Sequence, residues 1–404
     1  MRLLFINRFF YPDQAATSQI LTDLTEGLVE EGRDVTVLTG RMWYLGGESV
    51  LPSEDCYEGV GIRRVWSTRF GRRSDIGRLI DYATFYLSVA WSSVRSKGID
   101  SVVVLSDPPM LSVLAVLLGW LKGWKTVCWL QDVFPEIAVQ AGALRNGKRA
   151  RVLKWLAHWS FRHCDLVIVL GRCMEQQLLG TGVARNQLLL IPNWADGDCL
   201  APVDSRDNWF RKQQGLEDRI VVMYSGNLGV VHEMDSVAQI IRQLQMMPNV
   251  CFLFVGDGSG KVRLEELVRR EGLNNVRFVG YQEKEDLPYS LSAGDIHLVT
   301  LRSDMAGLSV PSKVYGIMAV GRPVVFIGPE ESEVAILIRE SLCGEVFDPV
   351  NHEKAGRAIL DLAQDPRRRE YLGAEGRRYF EMVLDKKFAI PRFQAALYDL
   401  LKER

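Results

Sequence analysis

The chain has 404 residues, with 49 Lys and Arg against 50 Asp and Glu, so its formal net charge is −1. About 47% of the residues are apolar and 25% are charged, which is ordinary for a globular protein and excludes a disordered acidic chain. The near-zero charge also argues against a nucleic-acid-binding protein that is basic over its whole surface. The length favours two or three domains.

The average charge conceals a split between the two halves of the chain. Residues 1–190 carry 22 basic and 18 acidic groups, whereas residues 191–404 carry 27 basic and 32 acidic groups. All ten tryptophans lie before residue 210. These halves therefore have different surface chemistry, which indicates different partners.

Cysteine usage and hydropathy narrow the class further. The seven cysteines include no C-x-x-C pair, which indicates a reduced intracellular protein rather than a disulfide scaffold or a zinc module. The most apolar stretch, residues 110–121, is shorter than the roughly 20 residues that cross a bilayer, so no transmembrane helix is expected.

Short apolar runs alternate with longer amphipathic stretches in the first half of the chain. Strands are predicted at residues 3–7, 34–39, 62–66, 101–105, 125–130, 165–170 and 188–192. Helices are predicted at residues 18–31, 78–95, 110–121, 148–162 and 172–179. This alternation predicts a doubly wound parallel sheet over residues 1–193.

A turn-rich stretch, residues 194–218, interrupts the rhythm and is predicted to be a linker. The alternation then resumes, and it predicts a second α/β domain over residues 219–385 and a tail helix over residues 386–404. Strands are predicted at residues 220–224, 250–255, 276–279, 296–301, 323–327 and 344–347. Ligands of such folds bind beyond the carboxyl ends of the strands, so the cleft between two such domains is the expected site.

Two glycine-rich loops follow the first two strands of the second domain. Tyr224-Ser-Gly-Asn-Leu-Gly229 allows a tight turn before a helix whose free N–H groups could hold phosphate. Val255-Gly-Asp-Gly-Ser-Gly-Lys261 fits neither the P-loop nor the G-x-G-x-x-G pattern. An ordinary strand-to-helix turn is the alternative interpretation of the first loop, and the glycines of the second loop are still compatible with close backbone approach to a ligand.

The most informative segment runs from residue 306 to residue 328. A polar loop ends at Pro311, a good first helical residue, and a short helix carrying Lys313 follows. Backbone N–H groups and a lysine at a positive helix end suit a diphosphate. The alternative is a lysine on a solvated helix face.

Other polar residues are weaker candidates. Asp132 follows a buried strand of the first domain and is either a cleft carboxylate or a turn residue, with Glu136 as a second candidate. The group His158, His163 and Cys164 lacks metal-site spacing, and Asp196-Gly-Asp198 is interpreted as a turn. His232 lies near a glycine loop and is interpreted either as a phosphate contact or as a capping or surface residue.

Together these segments resemble glycosyltransferase family 4, the retaining, nucleotide-sugar-dependent transferases of GT-B fold. The resemblance covers nearly the whole chain and is closest to the WbuB-like branch of colanic-acid and O-antigen biosynthesis. Its marks are Ser106-Asp-Pro-Pro, Gln131-Asp-Val-Phe-Pro-Glu, Ile191-Pro-Asn-Trp, Phe254-Val-Gly-Asp-Gly and, most specific, Val310-Pro-Ser-Lys-Val-Tyr-Gly-Ile-Met-Ala-Val-Gly-Arg-Pro-Val.

The resemblance implies two Rossmann-like domains, of which the second binds a UDP-sugar and the first binds the acceptor. Metal ions and other cofactors are not expected. The tail helix would cross back to the first domain. The implied catalytic residues are Asp132 and Lys313. The implied donor-binding residues are Gly226, Asn227, Gly229, Asp257, Gly258, Leu308, Ser309, Val310, Ser312 and Lys313. The implied acceptor-side residues are Asp13, Gln14, Thr17, Asp132 and Glu136.

The chain departs from the family pattern at three places, one of which is residues 226–233, where the Arg and Lys that many members carry after the first strand of the second domain are missing. The E-x7-E glutamates of the family are replaced by Leu308 and Gly316. The family's N-terminal Gly-Gly loop is replaced by residues 12–17. The resemblance therefore does not identify the donor sugar, and both a hexose and an N-acetylated amino sugar stay open.

Members of this branch use polyprenyl-diphosphate-linked acceptors at the inner face of the cytoplasmic membrane. Basic residues and aromatic residues in the first domain favour the same anionic membrane surface. They are Arg63, Arg64, Arg69, Arg72, Arg73 and Arg78, then Tyr82, Phe85, Tyr86 and Trp91, and finally Trp120, Lys122, Trp124 and Lys125. The alternative is that the aromatic residues form core and the arginines a solvated face.

Two other functions fit the same fold. A UDP-GlcNAc 2-epimerase would need acid and base side chains around the donor sugar, and residues 307–310 supply few of them. A non-catalytic scaffold that binds a nucleotide sugar would have no use for Asp132.

Overall fold

The chain forms two compact units, each built on one twisted sheet. The structure is a computed structural model, and it describes residues 1–44, 49–71 and 75–402. The first unit contains Met1–Pro192 and the chain from Ala389 onward, and the second contains Asn193–Phe388. Each predicted strand is present, and in both units helices connect parallel strands. The predicted fold class, two doubly wound α/β domains, is confirmed.

The first unit has an eight-stranded sheet. Its strands are β1 (Arg2–Ile6), β2 (Asp34–Gly40), β3 (Glu54–Tyr57), β4 (Val60–Val65), β5 (Ser101–Leu105), β6 (Lys125–Trp129), β7 (Leu166–Val169) and β8 (Leu188–Leu190). Their order is β3-β4-β2-β1-β5-β6-β7-β8, and every pairing is parallel except that of β3 with β4. Strand β5 is buried throughout because helices cover both faces of the sheet, which explains its continuous apolar sequence.

Strand β3 is the strand that the sequence pattern does not predict. It is an exposed edge strand of sequence Glu-Asp-Cys-Tyr, so it shows no apolar run. Glu58 and Gly59 both have positive φ angles, 46° and 79°, and they close a two-residue hairpin between β3 and β4. The turn, rather than burial, therefore defines this strand.

The described residues of the first unit form six α-helices before the tail. They are α1 (Ala16–Glu30), α2 (Asp75–Arg95), α3 (Leu111–Lys122), α4 (Glu136–Gln140), α5 (Lys148–His163) and α6 (Arg172–Leu179). Among the helices of the described residues, none combines the length and the apolarity that crossing a bilayer requires.

The second unit has a six-stranded, fully parallel sheet. Its strands are β9 (Ile220–Ser225), β10 (Val250–Val255), β11 (Val276–Val279), β12 (Ile296–Thr300), β13 (Val324–Ile327) and β14 (Gly344–Phe347). Their order is β11-β10-β9-β12-β13-β14. Its helices are α7 (Trp209–Gln213), α8 (Met234–Gln243), α9 (Ser259–Glu271), α10 (Leu287–Ser292), α11 (Lys313–Ala319), α12 (Glu333–Ser341), α13 (His352–Gln364) and α14 (Pro366–Tyr379), followed by a π-helical turn at Phe380–Leu384.

The segment predicted as a linker, residues 194–218, packs as part of the second unit. Phe210 and Leu216 are fully buried in an apolar cluster with strands β9 and β10. The Arg211 guanidinium is also buried, and it bonds the carbonyl of Ala293 at 2.8 Å and the carboxylate of Asp295 at 3.0 Å. Helix α7 has only five residues, which is too short for a sequence period to predict it.

The last helix, α15 (Lys386–Lys402), belongs with the first unit from Ala389 onward. The Phe393 ring is fully buried and meets the Trp129 ring edge-on, with 5.0 Å between centroids. Ile390 packs so closely on helix α1 that a Cβ atom at Gly27 would lie 2.8 Å from it. The tail thus completes the core of the first unit.

Part of the predicted basic and aromatic surface is core instead. Phe85 and Trp124 are buried, and the Arg64 guanidinium donates to the carbonyl of Tyr11 at 2.7 Å and pairs with Asp55 at 3.0 Å. The surface prediction is therefore wrong for these three side chains, because Phe85 lies on the core side of α2, Trp124 immediately precedes the buried strand β6, and Arg64 is held by Tyr11 and Asp55. Arg72 and Arg73 lie outside the described residues.

We expect Phe393→Ala to lower the free energy of unfolding by about 3–5 kcal/mol, because it leaves a cavity beside Trp129. Urea unfolding followed by tryptophan fluorescence measures the change. Tyr398→Ala on the same helix is the control, since that side chain is 46% exposed and should cost little. Equal effects of the two substitutions would contradict this packing of α15.

Candidate functional site

The strand order of the second unit defines its ligand-binding edge. Strands β10 and β11 follow one another on one side of β9. Strands β12, β13 and β14 follow one another on its other side, so the direction of strand addition reverses at β9. Loops leaving the carboxyl ends of two such strands diverge and leave a crevice between them. The crevice of this unit therefore lies beyond Ser225 and Thr300.

Two glycine-rich loops meet at this crevice through their backbones. Gly226, with φ of 115°, donates its N–H to the carbonyl of Val255 at 2.8 Å. A Cβ atom at Gly256 would lie 2.3 Å from the Gly226 carbonyl oxygen, and one at Gly258 would lie 2.5 Å from Asn227 Oδ1. These glycines are required by the packing of one loop on the other.

Asp257 and Asn227 are exposed beside this junction. The Asp257 carboxylate accepts the N–H of Gly258 at 2.7 Å. The backbone carbonyl of Asp257 accepts the N–H of Leu228 at 2.8 Å. A Cβ atom at Gly229 would lie 3.1 Å from the Asn227 amide nitrogen. Five of the predicted donor-binding residues are thus brought together in one backbone platform.

Lys313, the first residue of α11, reaches this platform. Its ammonium nitrogen is buried without a hydrogen-bond partner in the protein and lies 3.5 Å from the centroid of the Tyr224 ring. A Cβ atom at Gly226 would be 3.9 Å from the same nitrogen. Helix α11 has only seven residues, so the lysine rather than the helix dipole supplies the positive charge. Burial lowers the pKa of Lys313 well below its usual value.

The groups around Lys313 are neutral. The Tyr224 hydroxyl donates to the carbonyl of Asn227 at 3.0 Å, and His232 Nδ1 donates to the carbonyl of Thr300 at 2.8 Å. Burial, together with the charge of Lys313, lowers the pKa of His232 to about 3. His232 therefore remains uncharged at neutral pH. The sequence indicated Lys313 but not the aromatic ring beneath it; the position of Tyr224 at the end of β9 was the available signal.

The loop before α11 has fewer backbone N–H groups for a ligand than the sequence predicts. The N–H groups of Leu308 and Ser309 both donate to the carbonyl of Met305, at 3.0 and 3.4 Å. Both N–H groups are therefore bonded within the loop. Of the predicted backbone donors in this loop, this leaves the N–H groups of Val310 and Ser312. The Leu308 side chain, which stands in place of the family's first glutamate, is buried.

The acceptor-side residues after β1 are held by internal hydrogen bonds. The Asp13 carboxylate accepts the N–H of Ala15 at 2.8 Å and that of Tyr44 at 2.6 Å. Burial raises the pKa of Asp13, although both N–H bonds oppose the rise. Thr17 Oγ1 lies 3.5 Å from the buried Asn7 amide nitrogen, and Gln14 is exposed. Asp13 thus shapes this loop.

Asp132 lies just beyond β6 and lines a small cavity. The Ser106 hydroxyl accepts the N–H groups of both Gln131 and Asp132 at 3.2 Å, which fixes the start of this loop. Phe134 and Phe161 lie among the other lining residues, together with the polar Ser106 and Ser112. Ser106 was quoted in the sequence motif but not identified as the residue that holds Asp132.

Glu136 is paired instead with helix α5. Its Oε1 atom lies 2.8 Å from His158 Nε2 and 3.9 Å from Lys154 Nζ, while its Oε2 atom is buried without a protein hydrogen-bond partner. The interpretation of His158 as part of a plain helix face missed this pair. The residues Asp13, Asp132 and Glu136 belong to the first unit, and Lys313 belongs to the second.

Two weaker sequence signals have structural explanations. Asp196 accepts the N–H groups of Asp198 and Cys199 at 3.0 and 3.2 Å, so the predicted turn is confirmed. Within residues 1–44, 49–71 and 75–402, no three His, Cys, Asp or Glu side chains come together as metal ligands.

Family models match both units of the chain. The model described as "Glycosyl transferase 4-like domain" matches residues 16–194, and "Glycosyl transferases group 1" matches residues 205–379. The probable glycosyltransferase WbjE of Pseudomonas aeruginosa is 28% identical over 82% of this chain and 84% of its own length. The putative colanic acid biosynthesis glycosyl transferase WcaI of Escherichia coli is 26% identical over 97% of this chain and 98% of its own.

Solved structures share the fold over the full length. Sucrose-phosphate synthase from Thermosynechococcus elongatus aligns with a TM-score of 0.79 at 17% identity, covering 100% of both chains. Anabaena HepE in complex with UDP-glucose aligns with a TM-score of 0.74 at 16% identity, covering 99% of this chain and 100% of that one. The two doubly wound units are therefore those of a GT-B glycosyltransferase. The chain belongs to glycosyltransferase family 4, as the sequence motifs predict.

The buried lysine makes stability depend on pH. An unfolded lysine has a pKa of about 10.4, and burial lowers that of Lys313, so the unfolded state binds more protons between the two values. Wild-type stability contributed by this site therefore falls as pH decreases through that window. We expect Lys313→Met to be more stable than wild type by about 1–2 kcal/mol at pH 7, with a smaller difference near pH 10.

Urea unfolding of both proteins at several pH values between 7 and 10 measures this difference. Lys261→Met is the matched control, because Lys261 Nζ has partners, at 3.4 Å from the Gly256 carbonyl and 3.9 Å from Glu265. A Lys313→Met difference that is constant with pH would contradict the burial of the ammonium group.

Proposed function

We propose that the chain is a retaining glycosyltransferase of cell-surface polysaccharide biosynthesis. It moves a sugar, a hexose or an N-acetylated amino sugar, from a UDP-sugar to a polyprenyl-diphosphate-linked saccharide. The observation that carries the donor proposal is the buried, unpartnered ammonium of Lys313 beside the Gly226 loop. The UDP-glucose complex of HepE and the colanic acid assignment of WcaI support it.

A diphosphate is the ligand that this arrangement fits. Both Gly226 and Gly258 favour glycine, Gly226 because its φ is 115° and Gly258 because a Cβ atom there would lie 2.5 Å from Asn227 Oδ1, and backbone without side chains allows a ligand to approach closely. The Lys313 ammonium lacks a counter-charge, and a phosphate oxygen would satisfy it. Lys313 therefore takes the place of a metal ion, and we propose that no cofactor is required.

The proposed reaction places Lys313 where negative charge develops. The bond between the sugar C1 and the β-phosphate oxygen breaks, and a bond forms on the same face between C1 and the acceptor oxygen. The acceptor proton passes to the departing phosphate. Lys313 stabilises the charge that accumulates on the UDP leaving group, in a buried position where such stabilisation is strong.

Asp132 is proposed to act on the acceptor side. Its backbone is fixed by Ser106, and the residue lines a small cavity with Ser112, Phe134 and Phe161. A carboxylate there can accept a hydrogen bond from a sugar hydroxyl and stabilise positive charge at the reacting sugar. The exposed Gln14 and the half-buried Thr17 are proposed to contact the acceptor.

The lipid-linked acceptor requires a protein that works at a membrane surface. We propose that the chain is cytoplasmic and peripheral at the inner face of the cytoplasmic membrane. Residues 60–100 hold eight basic and three acidic groups, and residues 122–172 hold nine basic and three acidic groups, so both stretches would favour anionic lipid.

The epimerase and scaffold alternatives are separated by simple assays. The named relatives WbjE and WcaI are described as transferases, which favours transfer. Incubation with UDP-GlcNAc alone, followed by NMR, would reveal an epimer if the chain were an epimerase. Binding of UDP without turnover of any donor with a lipid-linked acceptor would favour the scaffold.

We expect Lys313→Ala to weaken UDP binding by about 10–100-fold, since it removes a charge-assisted contact to the diphosphate. Isothermal titration calorimetry with UDP and with uridine separates the diphosphate contribution from the base. Lys261→Ala is the control for a lysine in the neighbouring loop. Unchanged UDP affinity in Lys313→Ala would place the diphosphate elsewhere, and a loss in Lys261→Ala instead would place it at that loop.

We expect Asp132→Asn to lower kcat by about 100-fold or more while UDP affinity stays within about threefold of wild type. The substitution keeps the size of the side chain but removes its charge. Steady-state assays with a lipid-linked saccharide and calorimetry with UDP measure the two effects. Wild-type turnover of this variant would rule out a catalytic role for Asp132.

A further inference from the structure

Helix α2 is apolar on two opposite faces. Phe85 and Val89 face the core and are fully buried. An ordinary surface helix presents polar residues on its other side. Here the outward side carries a stripe of large apolar residues at helical spacing, namely Ile76, Leu79, Ile80, Leu87, Trp91 and Val94.

The two neighbouring helices extend this stripe. Helix α3 exposes Leu117, Trp120 and Leu121, and helix α5 exposes Val152 and Trp155. We call these residues and the α2 stripe the α2–α3–α5 surface.

Contacts between the helices make this surface continuous. The Lys122 ammonium donates to the Val94 carbonyl at 2.7 Å, which joins the ends of α3 and α2. The Trp120 ring meets the Trp159 ring at 5.4 Å, and Trp159 lies one turn from Trp155 on α5. Three helices therefore present one apolar surface rather than three scattered patches.

This surface is too large to be incidental. Trp91, Trp120 and Trp155 are 64%, 59% and 61% exposed. An indole buries roughly 150–250 Å² when it is covered, so these three rings alone expose a few hundred Å². Patches of that size on single proteins mark interaction sites.

The charges on the three helices of the surface are mostly basic. Helices α3 and α5 contain no Asp or Glu, and the three helices together carry eight Lys and Arg against Asp75 and Asp81. Asp81 is buried and accepts the N–H groups of Phe70 and Gly71. The Arg95 guanidinium stacks on the Trp91 ring at 3.4 Å. The basic residues are Arg78, Arg95, Lys122, Lys148, Arg149, Arg151, Lys154 and Arg162.

We propose that the α2–α3–α5 surface docks on an anionic lipid bilayer and inserts its indole and aliphatic side chains at the headgroup boundary. Tryptophan favours that layer, and long basic side chains at its edge reach lipid phosphates. The inference deepens the proposed function, because it assigns the membrane contact of a lipid-linked acceptor to named residues.

A second copy of the chain fits this surface less well. A two-fold interface would place the same surface on both copies, so the basic residues of one would face those of the other. No exposed acid on α3 or α5 would relieve that repulsion. An anionic bilayer supplies both the apolar environment and the opposite charge.

The test uses the full chain and vesicles of phosphatidylcholine with and without one third phosphatidylglycerol. We expect wild type to bind the anionic vesicles, with quenching of its tryptophan fluorescence by brominated lipid. We expect the triple variant Trp91→Ser, Leu121→Ser, Trp155→Ser to lose at least about tenfold in partition coefficient. All three side chains are exposed, and melting temperature and UDP affinity verify that the variant is folded.

The matched control replaces three exposed apolar residues of the second unit, Met246→Ser, Val262→Ser and Val350→Ser, and should bind like wild type. Equal binding of both triple variants would overturn the proposal. So would a wild-type protein that ignores vesicles but forms a dimer that the first variant dissociates. Vesicle binding without donor turnover would refute the proposed function and leave the docking surface intact.

Discussion

The candidate site of the second unit depends on how the ammonium group of Lys313 is held. A buried cation without a hydrogen-bond partner opposes folding, and Lys313 is tolerated because the Tyr224 ring lies 3.5 Å beneath it and offsets part of the cost. Gly226 has a φ of 115°, which favours glycine, and a Cβ atom there would lie 3.9 Å from the ammonium nitrogen, so the glycine leaves that position without a side chain. An anionic ligand would supply the partner that the protein withholds. The buried cation lowers the free energy of unfolding, and an anionic ligand that pairs with it would bind more strongly for that reason.

The sequence predicts the two sheets well because parallel strands covered on both faces are apolar throughout. The sequence does not predict elements that are defined by something other than a buried apolar run. Strand β3 is defined by a two-residue turn at Glu58 and Gly59, and helix α7 is too short to show a period. At the site, the motif indicates Lys313, but the burial of its nitrogen depends on Tyr224, which is distant in the chain. Pattern alone does not supply that contact.

Tryptophan content illustrates the same limit. The concentration of tryptophan in the first half suggests a special surface, yet Trp129 and Trp124 are core while Trp91 and Trp155 are exposed. Trp129 lies on β6 and Trp124 immediately precedes that strand, whereas Trp91 and Trp155 lie on helices α2 and α5, so position in the fold rather than composition separates the two groups. The two units then differ in chemistry. The second holds a buried lysine nitrogen, whereas the first exposes large apolar side chains beside basic ones.

The return of α15 to the first unit means that the unit begun first during synthesis is completed last. Until the residues around Phe393 leave the ribosome, Trp129 and the face of α1 beside Gly27 lack their cover. The second unit is encoded without interruption and can form its core earlier. A nascent chain therefore carries an unfinished first unit through most of its translation, while the α2–α3–α5 surface has already been made.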